Sequence, residues 1–144
     1  MKSDPLISYR RPPAHLDRSV IESFAGTLRK AVTRGQEFHC LITGDAEVRR
    51  LNQVYRKKDY ATDVLSFPGS GDYLGDIAIS LARARVQAKR YGHAVEDEIR
   101  ILMLHGVLHL RGMNHESDSG EMARAELRWR RKFGLPNGLI ERAA

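Results

Sequence analysis

The segment LGDIAIS (74–80) passes directly into LARARVQAKRYG (81–92), and this junction decides the fold class. In the first segment Ile77 and Ile79 alternate with other residues, a period of two that predicts a strand with one buried face. Ser80 is a residue type that caps helix N-termini, and the glycine that closes the second segment is typical of a helix end. The junction therefore predicts a strand that is followed at once by a helix.

The same two patterns recur on both sides of this junction. Residues of strand character predict three further strands, at 6–10, 38–43 and 62–68. Apolar residues at helical spacing predict further helices, which begin after Asp17, after Gly44, near Glu96 and after Ser117–Ser119 and end near Gly35, Arg56, Gly112 and Gly134. This order predicts an α/β (α+β) domain, a small mixed sheet of about four strands with helices packed on it. The order of the strands does not follow from the sequence.

Size, composition and charge limit the class of protein. The 144 residues suit one ordinary domain, 1–144, and 42% hydrophobic with 29% charged residues predict a folded core. The single Cys40 excludes an internal disulfide and fits a reducing compartment. Without an apolar run of about 20 residues or a signal-like start, we expect a cytoplasmic protein with no membrane partner. Lys and Arg total 24 against 18 Asp and Glu, and the net charge of +6 favours a polyanionic partner.

Three of the six histidines lie in one segment, HGVLHLRGMNH (105–115). His105 and His109 are one turn apart on one helix face, with Cα atoms offset by about 6 Å along the axis. Gly112 can adopt the left-handed conformation that ends a helix, so that the chain folds back and brings His115 to the same ion. Three imidazoles and an open position are typical of a catalytic zinc site. The segment predicts one divalent metal ion at the C-terminal end of a helix, although these ligands alone do not select zinc over nickel or copper.

The spacing of these histidines also equals the ligand frame of the metzincin peptidases, which leaves a peptidase-like metal hydrolase as an alternative. Those enzymes place a glutamate directly after the first histidine as the general base. Here that residue is Gly106, which has no side chain to take a proton, and neither Glu116 nor Asp118 stands at the motif position. The metal frame is present and the peptidase base is absent.

Two charged residues near the middle of the chain are candidates for chemistry. Arg56 ends a predicted helix, where it could clamp a phosphate through its planar fork or belong to a solvated basic turn. Asp63 opens a predicted strand, where it could orient a ligand or a metal water, or could cap a turn together with Thr62.

At these residues the chain resembles the YbeY family of bacterial ribosome-maturation endoribonucleases. The segment 105–115 resembles the family signature H-G-x-L-H-L-x-G-x-D-H. Residues 52–59 and 62–68 resemble its block N-x-x-Y-R-x-K-D…T-D-V-L-S-F-P, and residues 74–77 resemble its L-G-D-I strand. The resemblance covers roughly residues 45–125. It departs from the family pattern at Asn114, where the family has Asp, and at Ala61, where it has Pro.

The resemblance implies a single-strand-specific, metal-dependent endoribonuclease that acts in small-subunit 3′-end maturation and in ribosome quality control. It implies a metal site at His105, His109 and His115, with Zn²⁺ the expected ion, and partners in ribosomal RNA and the small ribosomal subunit or its proteins. We predict Arg56 and Asp63 as the catalytic residues. The second alternative is a non-catalytic RNA- or ribosome-binding maturation factor, which the basic charge balance supports equally well. The oligomeric state does not follow from the sequence.

Overall fold

The core of the fold is a four-stranded mixed sheet with helices on both faces. The computed structural model describes residues 6–10 and 15–143. Its strands are Ile7–Tyr9 (β1), Glu37–Thr43 (β2), Val64–Pro68 (β3) and Tyr73–Ser80 (β4). Its helices are Arg18–Ala31 (α1), Asp45–Arg56 (α2), Leu81–Tyr91 (α3), Val95–Leu110 (α4), Glu121–Phe133 (α5) and Leu139–Ala143 (α6). The predicted fold class is confirmed.

The sheet has the strand order β1-β2-β4-β3. Strand β2 lies between β1 and β4 and runs parallel to both, while β3 pairs with β4 in the antiparallel sense. The predicted alternation in β4 is confirmed, because Ile77 and Ile79 are buried in the main core that α1 and α4 cover. On the other face Ala78 packs with Leu65 of β3 and Val48 of α2.

Helix α4 is the most deeply buried element among the described residues. Every residue from 101 to 108 is buried. At Gly106 the helix lies so close to the sheet that a Cβ atom would stand 3.0–3.2 Å from the side chain of Ile77. The carbonyl oxygen of Gly106 also accepts a hydrogen bond from the Ser66 hydroxyl of β3, at 3.2 Å. Gly106, which stands where the peptidases have their glutamate base, therefore has a packing role, because it lets α4 approach β4.

The helices agree with the predictions with two differences, the end of α1 and the presence of α6. Asp17 and Ser80 accept the capping hydrogen bonds of α1 and α3 as predicted, from Val20 and Arg83. Helix α1 ends at Ala31 rather than near Gly35, and the Thr33 hydroxyl then bridges the carbonyls of Arg29 and Gln36, at 3.0 and 2.7 Å. Helix α6 was not predicted, because its five residues are too few to show a helical pattern. No helix in 6–10 and 15–143 is long and apolar enough to cross a membrane.

Gly75 in β4 gives a test of how tightly the β3–β4 pair packs. Its φ is +145°, and an added Cβ would stand 2.3 Å from the Phe67 carbonyl oxygen and 2.7 Å from Leu110 Cδ2. We expect Gly75→Ala to lower the free energy of unfolding by about 3 kcal/mol or more, because strain and a clash with backbone add. Urea denaturation measures the loss.

Gly71 supplies the matched control for this variant. Its φ of +60° also favours glycine, but a Cβ there would meet nothing within 4 Å. Gly71→Ala should therefore cost only about 1 kcal/mol, the penalty of the left-handed conformation. Equal losses in the two variants would contradict the close packing at Gly75.

Candidate functional site

Three histidines come together at the C-terminal end of α4. Their ligand nitrogens all lie within 4.8 Å of one another, and the ring centroids of the three pairs are 4.7, 5.5 and 5.7 Å apart. His105 is only 5% exposed, His109 is half-buried and His115 is exposed. The cluster therefore has a buried side that is fixed by the core and an open side that faces solvent.

The turn after α4 brings His115 to the other two histidines. The helix ends at Leu110, and Gly112 takes the left-handed conformation with φ of +91°. The N–H of Gly112 donates to the carbonyl of His109, at 2.9 Å, and the N–H of Met113 donates to that of Leu108, at 3.2 Å. These bonds satisfy carbonyls at the helix end and reverse the chain. The predicted role of Gly112 is confirmed.

Hydrogen bonds to the Nδ1 atoms orient two of the rings. His105 Nδ1 lies 2.8 Å from Glu126 Oε2, and His109 Nδ1 lies 2.9 Å from the carbonyl oxygen of Met113. Both partners are acceptors, so each Nδ1 carries the proton and each Nε2 keeps a free lone pair. A carboxylate or carbonyl behind the ring is the usual support of a metal-binding histidine. The cluster thus fits one divalent cation.

Glu126 belongs to the candidate site, and the sequence reasoning missed it. It lies on α5, is 1% exposed, and its second oxygen accepts the N–H of Ile140 at 2.8 Å. Its position carried a signal, because it stands four residues after Met122 and next to Ala125 on the buried face of an amphipathic helix. A glutamate on such a face needs a hydrogen-bonding partner.

Burial also affects the protonation of His109. Removal from water disfavours the imidazolium form and lowers the pKa of His109, and the neighbouring His105 adds to this effect. A lowered pKa keeps the ring neutral to lower pH than an ordinary histidine. The neutral ring is the form that binds a metal.

Arg56 lies in the same cleft as the three histidines. The cleft has a volume of about 580 Å³, and its walls come from the end of α2, from β3, from the second half of α4 and from the turn around His115. Arg56 is exposed and ends α2, as predicted. Glu116 supplies the one carboxylate among the described residues that line this cleft. The cleft thus contains the guanidinium of Arg56, the carboxylate of Glu116 and the three-histidine cluster.

Asp63 occupies a different place. Its Oδ2 accepts a hydrogen bond from Gln87 of α3 at 2.9 Å, and its Oδ1 accepts one from the Thr62 hydroxyl at 3.3 Å. Among the described residues, those that line the histidine cleft do not include Asp63. The structure brings Arg56 and the histidines together but does not place Asp63 with them. The bond to Thr62 is the one expected for a turn.

Asn114 retains the local geometry of the turn. Its Oδ1 accepts the N–H of Glu116 at 3.1 Å, and its carbonyl accepts those of Ser117 and Asp118. An aspartate at this position would offer the same acceptor atom. The departure from the family pattern therefore leaves the turn before and after His115 intact.

Comparisons with known proteins agree with this geometry. Residues 13–134 match the model of the family described as Endoribonuclease YbeY. Relatives named Endoribonuclease YbeY include one from Solibacter usitatus, 64% identical over 94% of this chain and 92% of its own, and one from Koribacter versatilis, 44% identical over 95% and 91%. The solution structure of TM1509 from Thermotoga maritima superposes with a TM-score of 0.59 at 25% identity, over 85% of both chains.

The link between Glu126 and His105 can be tested by metal affinity. Glu126 accepts two hydrogen bonds, one with each oxygen, whereas a glutamine has only one acceptor oxygen. In Glu126→Gln the amide NH₂ competes for the place of one acceptor and favours the wrong tautomer of His105. We expect zinc affinity to fall about 10- to 100-fold, measured by competition with a fluorescent chelator.

Glu121→Gln is the matched control, because Glu121 is an exposed glutamate on the same helix. This variant should bind zinc like the wild type. Equal affinities in all three proteins would refute the support role of Glu126.

The lowered pKa of His109 predicts a pH dependence. In metal-free protein the His109 ring should become protonated only below the ordinary imidazole value of about 6.5, as followed by histidine ring signals in NMR. Metal affinity should therefore hold at neutral pH and weaken as pH falls and protons compete for the ring nitrogens. Titration of His109 at or above the ordinary value would contradict the effect of burial.

Proposed function

Because the chain belongs to the YbeY family, we propose that it is an endoribonuclease that cleaves single-stranded RNA in a metal-dependent reaction. The observation that carries this proposal is the cleft in which Arg56 faces the same space as His105, His109 and His115. A phosphodiester needs positive charge around its oxygens when negative charge builds up in the transition state. The net charge of +6 adds a long-range attraction for the polyanion.

The residues of the cleft divide the chemistry among them. A divalent ion held by the three histidines would supply a Lewis acid and would lower the pKa of water at the open position. The guanidinium of Arg56 binds phosphate oxygens through its planar fork and stabilises the developing charge. The attacking hydroxyl, of water or of the RNA, would form the new P–O bond and give its proton to Glu116. The P–O bond to the leaving RNA oxygen would break, and that oxygen would take a proton from water. Asp63, the other residue predicted to be catalytic, would act as a positioning residue, because it lies outside the cleft and its carboxylate is bonded to Gln87 and Thr62.

The biological role follows from the family. We propose that the substrate is ribosomal RNA, in particular the 3′ end of the small-subunit RNA, and that the enzyme takes part in ribosome quality control. Its macromolecular partners would be the small ribosomal subunit or its proteins, its compartment the cytoplasm, and its ion Zn²⁺. The chain would work as one catalytic domain, 1–144. Cys40 is the single cysteine of the sequence and is buried, so a reducing compartment is not required by the chain but suits it.

The peptidase alternative has less support because of Gly106. A glutamate at this position would have to occupy space that Ile77 already fills. A side chain at this position would therefore require the Ile77 side chain to shift by a few tenths of an ångström. Glu116 does not stand at the motif position of the peptidase base, and in phosphodiester cleavage the ion and Arg56 would act on the phosphoryl charge directly. A non-catalytic RNA-binding factor would share the charge and the fold, but it would have no need of a solvent-facing metal position beside an arginine.

Substitution of Arg56 tests the proposal. We expect Arg56→Ala and Arg56→Lys to lose at least about 100-fold in cleavage of a fluorogenic single-stranded RNA, because a lysine lacks the fork that binds two phosphate oxygens. Metal content and thermal stability should stay at the wild-type level. Chelation should abolish the wild-type activity and added zinc should restore it.

Arg49→Ala is the matched control for this experiment. Arg49 lies on the same helix and is exposed, but it pairs with Asp59 at 2.8 Å on the surface, a pair of small energetic weight. Its loss removes the same charge and should leave cleavage close to the wild type. If Arg56→Ala cleaves RNA as fast as Arg49→Ala, Arg56 has no role in the transition state.

A further inference from the structure

Tyr55 is an aromatic side chain that the fold leaves in solvent next to the candidate active site. It is 68% exposed and directly precedes Arg56 at the end of α2. Its ring contacts Phe67 of β3 in an edge-on arrangement, with centroids 5.6 Å apart and planes at 61°. An exposed ring adds little to hydrophobic stabilisation, because burial is what makes it favourable. The contact with Phe67 holds the ring in place while most of the side chain stays exposed.

The same ring borders two clefts. Tyr55 and Phe67 line both the histidine cleft and a second groove of about 420 Å³. This groove lies on the sheet face opposite the main core, where Leu41, Leu51 and Ala78 form its apolar floor. His39 and Asp76 give it polar edges. A concave, mostly apolar groove with a few polar groups is typical of a site for a small organic group, the class to which a nucleobase belongs.

Tyr55 and Arg56 direct their side chains differently although they are neighbours in the chain. Successive residues of a helix are about 100° apart around its axis. Arg56 lines the histidine cleft but not the second groove, whereas Tyr55 lines both. If a nucleic-acid strand places a phosphate at Arg56, the nucleoside next to that phosphate therefore lies beside the ring of Tyr55.

We propose that Tyr55, backed by Phe67, is a stacking platform for the nucleobase next to the scissile phosphate, and that the second groove receives this base. The proposal rests on the proposed function and deepens it, since it names what the site reads besides the phosphate. Stacking on an aromatic ring is open to every base and requires the base to leave its own stack. A base in a duplex cannot do this without losing its pair. The platform is thus the source of the preference for single strands.

The test measures base stacking directly and separately from cleavage. A short single-stranded RNA that carries 2-aminopurine beside the cleaved bond is mixed with the metal-loaded protein, and its fluorescence is recorded before cleavage begins. We expect quenching with the wild type and with Tyr55→Phe, which keeps the ring. Tyr55→Ala should lose the quenching and should bind roughly 5- to 150-fold more weakly. Tyr60→Ala, at an exposed tyrosine outside both clefts, is the control and should behave like the wild type.

An RNA with an abasic site at the same position completes the experiment. The missing base should weaken binding to the wild type by the same factor as Tyr55→Ala and should have no further effect in that variant, since both remove one contact. Additive losses, or quenching that persists in Tyr55→Ala, would overturn the platform and assign the exposed ring to another partner, such as a protein. Because cleavage is scored in parallel, a wild type that cleaves without stacking refutes only this inference. One that stacks a base without cleaving refutes only the proposed reaction.

Discussion

The close contact between Gly106 of α4 and Ile77 of β4 is the constraint on which the site depends. It lets a helix that is buried from 101 to 108 lie directly against the sheet. His105 and His109 flank this contact along the helix, so their position relative to β3 and to Arg56 follows from it. The residue that a peptidase would use as a base is here used for packing. Gly106 therefore affects both the packing of α4 on the sheet and the absence of a peptidase base.

Helix α4 is fixed at both of its ends through the C-terminal part of the chain. At its first turn the fully buried Glu98 accepts two hydrogen bonds from Arg142 of α6, both at 2.9 Å, and lies 2.7 Å from His93 Nε2. At the site end His105 is held by Glu126, which also holds the N–H of Ile140 at the start of α6. Removal of one partner from such a buried pair costs about 3–5 kcal/mol. The short α6 thus supports the position of the candidate metal ligands from outside the cleft.

The sequence was sufficient for features that depend on local patterns. The alternation at Ile77 and Ile79, the cap at Ser80 and the turn at Gly112 all act within a few residues, and the structure confirms them. Features that depend on distant contacts were not visible in the sequence. Strand order and the pairing of Glu126 with His105 rest on contacts between elements far apart in the chain, and α6 is too short to show a helical pattern.

The prediction for Arg56 illustrates the same division. Its place at the end of a helix follows from local spacing, but its entry into the histidine cleft depends on how α2 packs beside β3. Asp63 has a similar sequence setting, and yet its side chain turns towards Gln87 of α3. Two charged residues that flank one loop therefore differ in their relation to the site, and only the packing of the neighbouring helices decides which of them reaches it.

We propose that His105, His109 and His115 hold a metal ion on which RNA cleavage depends. Metal content of the purified protein, measured beside cleavage of single-stranded RNA by the wild type and by His109→Ala, tests it most directly. We expect about one divalent ion per chain in the wild type, and a variant that folds, holds little metal and does not cleave RNA. Undiminished cleavage by metal-free His109→Ala would contradict it, and so would metal-dependent proteolysis of casein without any cleavage of RNA.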